Sequence, residues 1–233
     1  MWPFFESFLS AEQQRKRAFR RVPEGALKEY LSVPFPDKNA TISELTLLSV
    51  DFETTGLNAM THQLLSIGSI EIDGGKIKLA SSCHNIIKTK GKLEANNVVV
   101  HQITDSEKEQ GIELKTAVDQ LLLALAGKVM LVHYAKIERQ FLRQVCFELY
   151  GVRPPLMMID TLLLAKKRLD IGGQHYDPSI FRLESLRQSF QLPSYHAHNA
   201  LNDAIATSEL FLAEINKYKQ GVKTKIRQLL CSV

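Results

Sequence analysis

The chain has 233 residues, of which 45% are hydrophobic and 23% charged, with a formal net charge of +4 and a pI near 8.9. This length allows one large or two small domains with a sizeable core, and the ordinary apolar-to-charged balance excludes a disordered or low-complexity chain. Mild basicity admits a polyanionic partner, whereas the opening Met1-Trp2-Pro3-Phe4-Phe5-Glu6 has the reverse of a secretory pattern, and no apolar run is long enough to span a membrane.

The first elements read as helical. Phe4, Phe5, Phe8 and Leu9 recur at helical spacing, the basic run Arg15-Lys16-Arg17-Ala18-Phe19-Arg20-Arg21 follows, and Pro23-Glu24 opens a second helix through Leu27, Tyr30 and Leu31. The basic run serves either as a solvated helix face or as a contact for nucleic-acid phosphates. Pro34-Phe35-Pro36-Asp37 breaks the pattern. Residues 1–39 are therefore expected to form a helical extension, 40–219 the main domain and 220–233 a basic amphipathic helical tail.

From Leu45 the pattern becomes α/β. A first strand runs into Asp51 and Glu53, a second spans 64–72, Asp73-Gly74-Gly75 is a hairpin turn, and 76–87 returns antiparallel. After Val98-Val99-Val100-His101-Gln102-Ile103-Thr104 come a helix over 114–126, a short buried strand over 128–133 and a helix marked by Ile137, Phe141, Leu142, Val145 and Leu149. A fifth strand over 156–159 ends in Asp160-Thr161 and a helix over 162–169. A loop over 170–178, a helix over 182–190 and a long helix over 200–218 complete the domain. Strands alternating with helices imply parallel additions to the sheet, whose ligand sites collect at the carboxyl ends of the strands.

The most informative stretch is Val50-Asp51-Phe52-Glu53-Thr54-Thr55-Gly56. Side chains alternate along a strand, so Asp51 and Glu53 share a face, and two close carboxylates make physical sense mainly around a cation. Hard oxygen ligands suit Mg²⁺ or Mn²⁺, while Thr-Thr-Gly allows a substrate close to the backbone; the bland alternative is an acidic strand end with a turn. Two later clusters reach the same sheet edge: His133-Tyr134-Ala135-Lys136-Ile137-Glu138, and His198-Asn199-Ala200-Leu201-Asn202-Asp203. Cys83, Cys146 and Cys231 are widely separated and odd in number, which fits a reducing, cytoplasmic setting; Cys83 and Cys146 read as apolar fillers. His62, His84, His175 and His196 read as surface or structural residues, and His133 as a residue that orients the second cluster.

Taken together, these three segments resemble the DEDD superfamily of 3′-to-5′ exonucleases, in its DnaQ-like, proofreading-subunit-like group. The resemblance extends over about 45–218. Asp51 and Glu53 match the first motif, 133–142 the second, and His198 with Asp203 the third; His101-Gln102-Ile103-Thr104 and Asp160-Thr161 add support. A histidine five residues before the last aspartate, with Asn199 where the other branch has tyrosine, is similar to the histidine (DEDDh) branch. The second motif departs from H-N-A-x-F-D, with Tyr134 for Asn, Ile137 for Phe and Glu138 for Asp. The leader looks like that of stand-alone bacterial members that also carry glutamate there.

The resemblance implies an RNase H-like fold, a five-stranded mixed sheet flanked by helices, preceded by the helical leader. It also implies two divalent ions, Mg²⁺ or Mn²⁺, held by Asp51, Glu53, Glu138 and Asp203, with His198 taking the proton from the attacking water. Thr54, Thr55, Gly56 and Leu57, with His101, would contact the terminal nucleotide. The implied substrate is the 3′ end of single-stranded or frayed nucleic acid, DNA ahead of RNA, without membrane involvement. Both a polymerase partner and a homodimer built on the Phe-rich leader stay open. The rival expectation is a nucleic-acid-binding module whose catalysis is weakened by Tyr134 and Glu138.

Overall fold

The computed structural model describes residues 10–89, 109–169, 177–195 and 198–231. The expected contact His101, the aromatic spacing at Phe4–Leu9, and His175 and His196 lie outside the described residues. The sheet forms first from local pattern: β1 (Thr46–Thr54) pairs antiparallel with β2 (Leu64–Asp73), and β2 turns back at Gly74-Gly75 into β3 (Lys76–Ile86). Next, α3 (Leu114–Leu125) leads to β4 (Val129–Val132), which lies parallel to β1. Helix α4 (Lys136–Tyr150) returns the chain to β5 (Met158–Asp160), parallel to β4, and α5 (Thr161–Leu169) follows without a break. The order across the sheet is β3-β2-β1-β4-β5, five strands of mixed direction as expected.

Strand alternation divides the core in two. Leu48, Val50 and Phe52 of β1 pack with Met130 and Val132 of β4 against α3 and α4. Leu47, Val129, Leu131 and Ile159 turn the other way, onto Leu164 of α5 and onto Phe211 and Ile215 of α7 (Ala200–Ile215). The helical leader, α1 (Ala11–Phe19) and α2 (Ala26–Ser32), joins the first face: Leu27, Tyr30 and Leu31 are buried with Leu121, Leu122 and Leu125 of α3. The Tyr30 hydroxyl donates to the Pro155 carbonyl at 2.9 Å. Burying each such side chain contributes about 1.5–3 kcal/mol. One member of the basic run turns inward, since Arg15 is buried and pairs with Glu12 and the Leu31 carbonyl.

The tail departs from expectation. Instead of one amphipathic helix it takes two 3₁₀ turns, Gly221–Lys223 and Ile226–Gln228, and buries Ile226 and Leu229 in the second core. Leu230 forms an antiparallel bridge to Ile159, and the Cys231 amide donates to the Met158 carbonyl at 3.0 Å. The exposed edge of β5 would otherwise present unpaired backbone groups, and satisfying them outweighs continuing a helix. The long final helix likewise stops at Ile215 rather than Tyr218. Cys146 is buried as expected, but Cys83 on the β3 edge is only half-buried; all three cysteines are free thiols. No helix among the described residues is long and apolar enough to cross a membrane.

Candidate active site

Because β1, β4 and β5 run parallel, their carboxyl ends meet at one edge, and the N-termini of α4 and α7 arrive at the same edge. Ser49, Asp51 and Glu53 project from one face of β1, two residues apart. The Ser49 hydroxyl donates to the Ala204 carbonyl at 2.8 Å, fixing α7 along β1. Asp51 lies opposite Gly68 on β2, and this glycine allows the approach: a Cβ there would fall 2.1–2.2 Å from the backbone of Ala200 and Leu201. The first turn of α7 therefore rests directly on the sheet and carries Asp203 to the carboxylates of β1.

Asp203 is held from both sides. Its Oδ2 accepts from the His198 amide at 2.9 Å, while the Asn199 side chain caps the helix by accepting from Asn202 N at 3.1 Å. One potential ligand atom each from Glu53, His198 and Asp203 lies within 4.8 Å of the others. Arg187, on α6 (Leu183–Ser189) and 1% exposed, donates to the Ala206 and Pro193 carbonyls and to Glu209, tying α6 and the turn at Pro193 to α7.

Glu138 enters from α4. Asp160, at the end of β5, accepts from the amides of Tyr134 at 3.0 Å, Ala135 at 2.9 Å and Leu162 at 2.9 Å, and so fixes the turn that starts α4. His133 reinforces it: Nε2 donates to the Phe181 carbonyl at 3.0 Å, and Nδ1 bonds the Thr161 hydroxyl at 2.8 Å. Burial lowers the His133 pKa and keeps the ring neutral, in keeping with an orienting role. Tyr134 and His198 both adopt positive φ, 71° and 67°. Non-glycine residues there carry about 1–3 kcal/mol of strain, tolerated where the surroundings fix the backbone at a functional site.

The electrostatics follow from this crowding. Burial, then the charges of Glu138, Asp203 and Glu53, raise the Asp51 pKa well above the usual carboxylate range. Burial raises Glu138 to about 8, with Asp160 and Glu53 adding repulsion, and raises Asp203 to about 6. Glu138 is 3% exposed, and its Oε2 has no hydrogen-bond partner among the described residues. Glu53, His198 and Asp203 offer a donor set that a divalent cation fits, beside half-buried Asp51 and buried Glu138 with its unsatisfied oxygen. A cavity of about 500 Å³ opens over Asp51 and Asp203, bordered also by Tyr134, His198, Phe181 and Tyr195 among others. Beside it, the Thr55 amide donates to the Gln63 carbonyl at 3.0 Å, and the Thr54 hydroxyl donates to the Gly56 carbonyl at 2.9 Å. A Cβ on Gly56 would strike the His62 ring at 2.4 Å, and Leu57 projects 72% exposed.

Glu53, His198 and Asp203 thus stand within reach of one another, the charges of Asp51 and Glu138 act on the same cluster, and Thr54–Leu57 follows directly from Glu53 along the chain. Gly68, Ser49, Arg187 and the bonding of Asp160 are not named as site residues by sequence reasoning. An isolated glycine inside a strand pattern was the legible signal for Gly68; the other three have none without the packing.

Known proteins share this fold. The cell-death related nuclease 4 structure superposes with a TM-score of 0.63 at 17% identity, covering 73% of this chain and 64% of that one. Exonuclease X, solved in complex with 5′ overhanging duplex DNA, gives a TM-score of 0.56 at 20% identity, covering 76% of this chain and 97% of that one. The class defined by the fold is therefore RNase H-like. In sequence, a DNA polymerase III PolC-type protein of Thermotoga maritima is 27% identical over 191 residues, 82% of this chain. The 3′-5′ exonuclease DinG of Staphylococcus haemolyticus is 24% identical over 77% of it. The chain spans only 13% and 19% of the lengths of these two relatives. The family model described as an exonuclease (RNase_T) matches residues 48–211, and the chain belongs to that family.

Proposed function

We propose that this domain is a metal-dependent 3′-to-5′ exonuclease, releasing 5′-mononucleotides from the 3′ end of single-stranded or frayed nucleic acid, DNA ahead of RNA. The observation that carries this reading is the convergence of Asp51, Glu53, Glu138 and Asp203 from β1, α4 and α7 on one cleft, with a buried oxygen of Glu138 unsatisfied. The direction and the nucleic-acid substrate are supported by the relative described as a 3′-5′ exonuclease and by the neighbour solved with overhanging DNA.

The four carboxylates would hold two Mg²⁺ or Mn²⁺ ions. When bound, such ions supply the positive charge that a phosphodiester needs to accept an anionic nucleophile and lose its 3′ oxygen. His198, at the mouth and beside Asp203, is positioned to take the proton from the attacking water, and its positive-φ backbone is anchored by Asp203 for that purpose. Glu138 keeps the charge of the family's aspartate on a stem longer by one methylene. Leu57 offers an exposed apolar face to the terminal base, a sequence-tolerant contact. The catalytic unit is assigned to 40–219, with 1–39 and 220–233 as supports, and the free thiols fit a cytoplasmic setting.

Purified protein incubated with a 5′-labelled oligonucleotide is expected to give a ladder of shortened products with Mg²⁺ or Mn²⁺ and none with chelator. Asp51→Ala should abolish it. An uncleaved substrate with either ion overturns the enzyme reading and leaves the weakened binding module.

A further inference from the structure

The basic run of α1 has no part in the site just described. Yet Arg17 and Arg21 line a cleft of about 450 Å³ together with Gln14, Tyr150 and Arg153. A second cleft, of about 420 Å³, is lined by Asn58, Met60, Arg139, Gln140, Arg143 and Arg153 among others. Arg153 belongs to both, so the clefts adjoin. Among the described residues no acid lines either one. Two acids touch lining residues and both are engaged: Glu148 accepts from Gln144 Nε2 at 2.7 Å, and Asp119 accepts from the Tyr150 hydroxyl and pairs with Lys115.

Position gives the clefts direction. Arg139 follows Glu138 directly, and Asn58–Met60 continues from the Thr54–Leu57 segment at the catalytic mouth. Arg143 stands one helical turn beyond Arg139 on the same face of α4. Arg153 then lies with its guanidinium 3.8 Å from the centre of the Phe147 ring and donates to Gln144 Oε1 at 2.8 Å, which fixes it in place. From Glu138 to Tyr150, α4 advances about 18 Å, the axial length of about five phosphates of one duplex strand. Every cation in the two clefts is arginine, whose rigid fork matches phosphate oxygens better than lysine does, and the remaining polar groups are largely amides able to donate.

We propose that the two clefts form a single phosphate-tracking surface, Arg139-Arg143-Arg153-Arg21-Arg17, that carries the body of the substrate strand away from the site. The leader helix is then part of the substrate-binding surface rather than an inert addition. From the nuclease reading the proposal takes only the location of the 3′ end.

The test is fluorescence anisotropy in chelator, where no turnover occurs, with labelled oligothymidines of about twenty and about four nucleotides at about 50 to 200 mM salt. The full-length protein should bind the longer probe more tightly and with a steep salt dependence. Arg17→Gln/Arg21→Gln and Arg143→Gln/Arg153→Gln should each weaken the longer probe about tenfold and collapse its advantage over the shorter one. Each should also lower the slope of log affinity against log salt by about 0.7 per lost phosphate contact. The α1 pair is exposed or half-buried, so the test survives if Arg153→Gln unsettles α4. Unchanged affinity and slope in both double variants overturn the surface, as does arginine-dependent binding of polyglutamate in place of the oligonucleotide, which reassigns the clefts to an acidic polypeptide. Arginine-dependent binding without hydrolysis in metal would remove the enzyme reading and keep the surface.

Discussion

The two ends of α4 handle charge in opposite ways. At its start Glu138 is 3% exposed, pushed up to about 8 by burial, and left with an oxygen that no described group satisfies. Near its end Arg153 is exposed, rests on Phe147 and bonds Gln144. The carboxylates there are crowded and partly desolvated before any ligand arrives, so the fold carries a cost that protonation or a bound cation relieves. The Arg153 guanidinium remains wet and satisfied, which makes it nearly neutral for stability and readily screened by salt. Changes at the acidic end should therefore be large and tied to metal; changes at the basic end should be graded and tied to ionic strength.

The largest effect that sharpens this contrast, after loss of Asp51, is expected from His198→Ala. Removing a positioned general base should lower kcat on an oligonucleotide about 10²- to 10⁴-fold at neutral pH, with binding in chelator retained. Near-normal turnover would show that His198 is not the base.

Gly68→Ala comes next. Its Cβ would meet backbone rather than a flexible side-chain tip, so α7 must lift from β1 and β2. The strain should cost about 1–3 kcal/mol in denaturant unfolding, and a displacement of about 1 Å in Asp203 should reduce turnover about a hundredfold. A fully active, fully stable variant would mean that the first turn of α7 does not need that contact.

The smallest effects are those of pH on the apoprotein. Glu138 near 8 and Asp203 near 6 both sit above the unfolded carboxylate range of about 4, so the folded state holds more protons than the unfolded state between about pH 4 and 8. Stability in chelator should be highest near the acid end of that window and fall as pH rises; Mn²⁺ should restore it near pH 8. Glu138→Gln should flatten the slope. Glu214, on α7, makes the comparison stricter: burial raises it to about 8 as well, and both its oxygens lack partners among the described residues. Glu214→Gln should raise stability near pH 8 while leaving the metal response intact, as measured by thermal melts with and without Mn²⁺. Equal loss of metal rescue in the two variants would erase the distinction between them.

Much of this was legible in the residues. The spacing of Asp51 and Glu53 fixes their shared face because a strand repeats every two residues. The apolar period of 137–149 likewise fixes which side of α4 is inward, and the helix expected from residue 200 carries Asp203 in its first turn. The tail differs from its helical expectation because Ile226, Leu229 and Leu230 fit a helical period as well as a strand-edge cover, and local spacing carries no trace of an unpaired edge strand.

The sequence by itself determined the elements, their order along the chain and the acid-bearing motifs, since periodicity and local hydrogen bonding act over a few residues. Only the tertiary structure decided how far those acids titrate from their usual range, how closely α7 can lie against Gly68, and that Arg17 and Arg21 line one cleft with Arg153. Desolvation and long-range charge depend on what packs over a residue, and more than 100 positions of chain separate α1 from the end of α4.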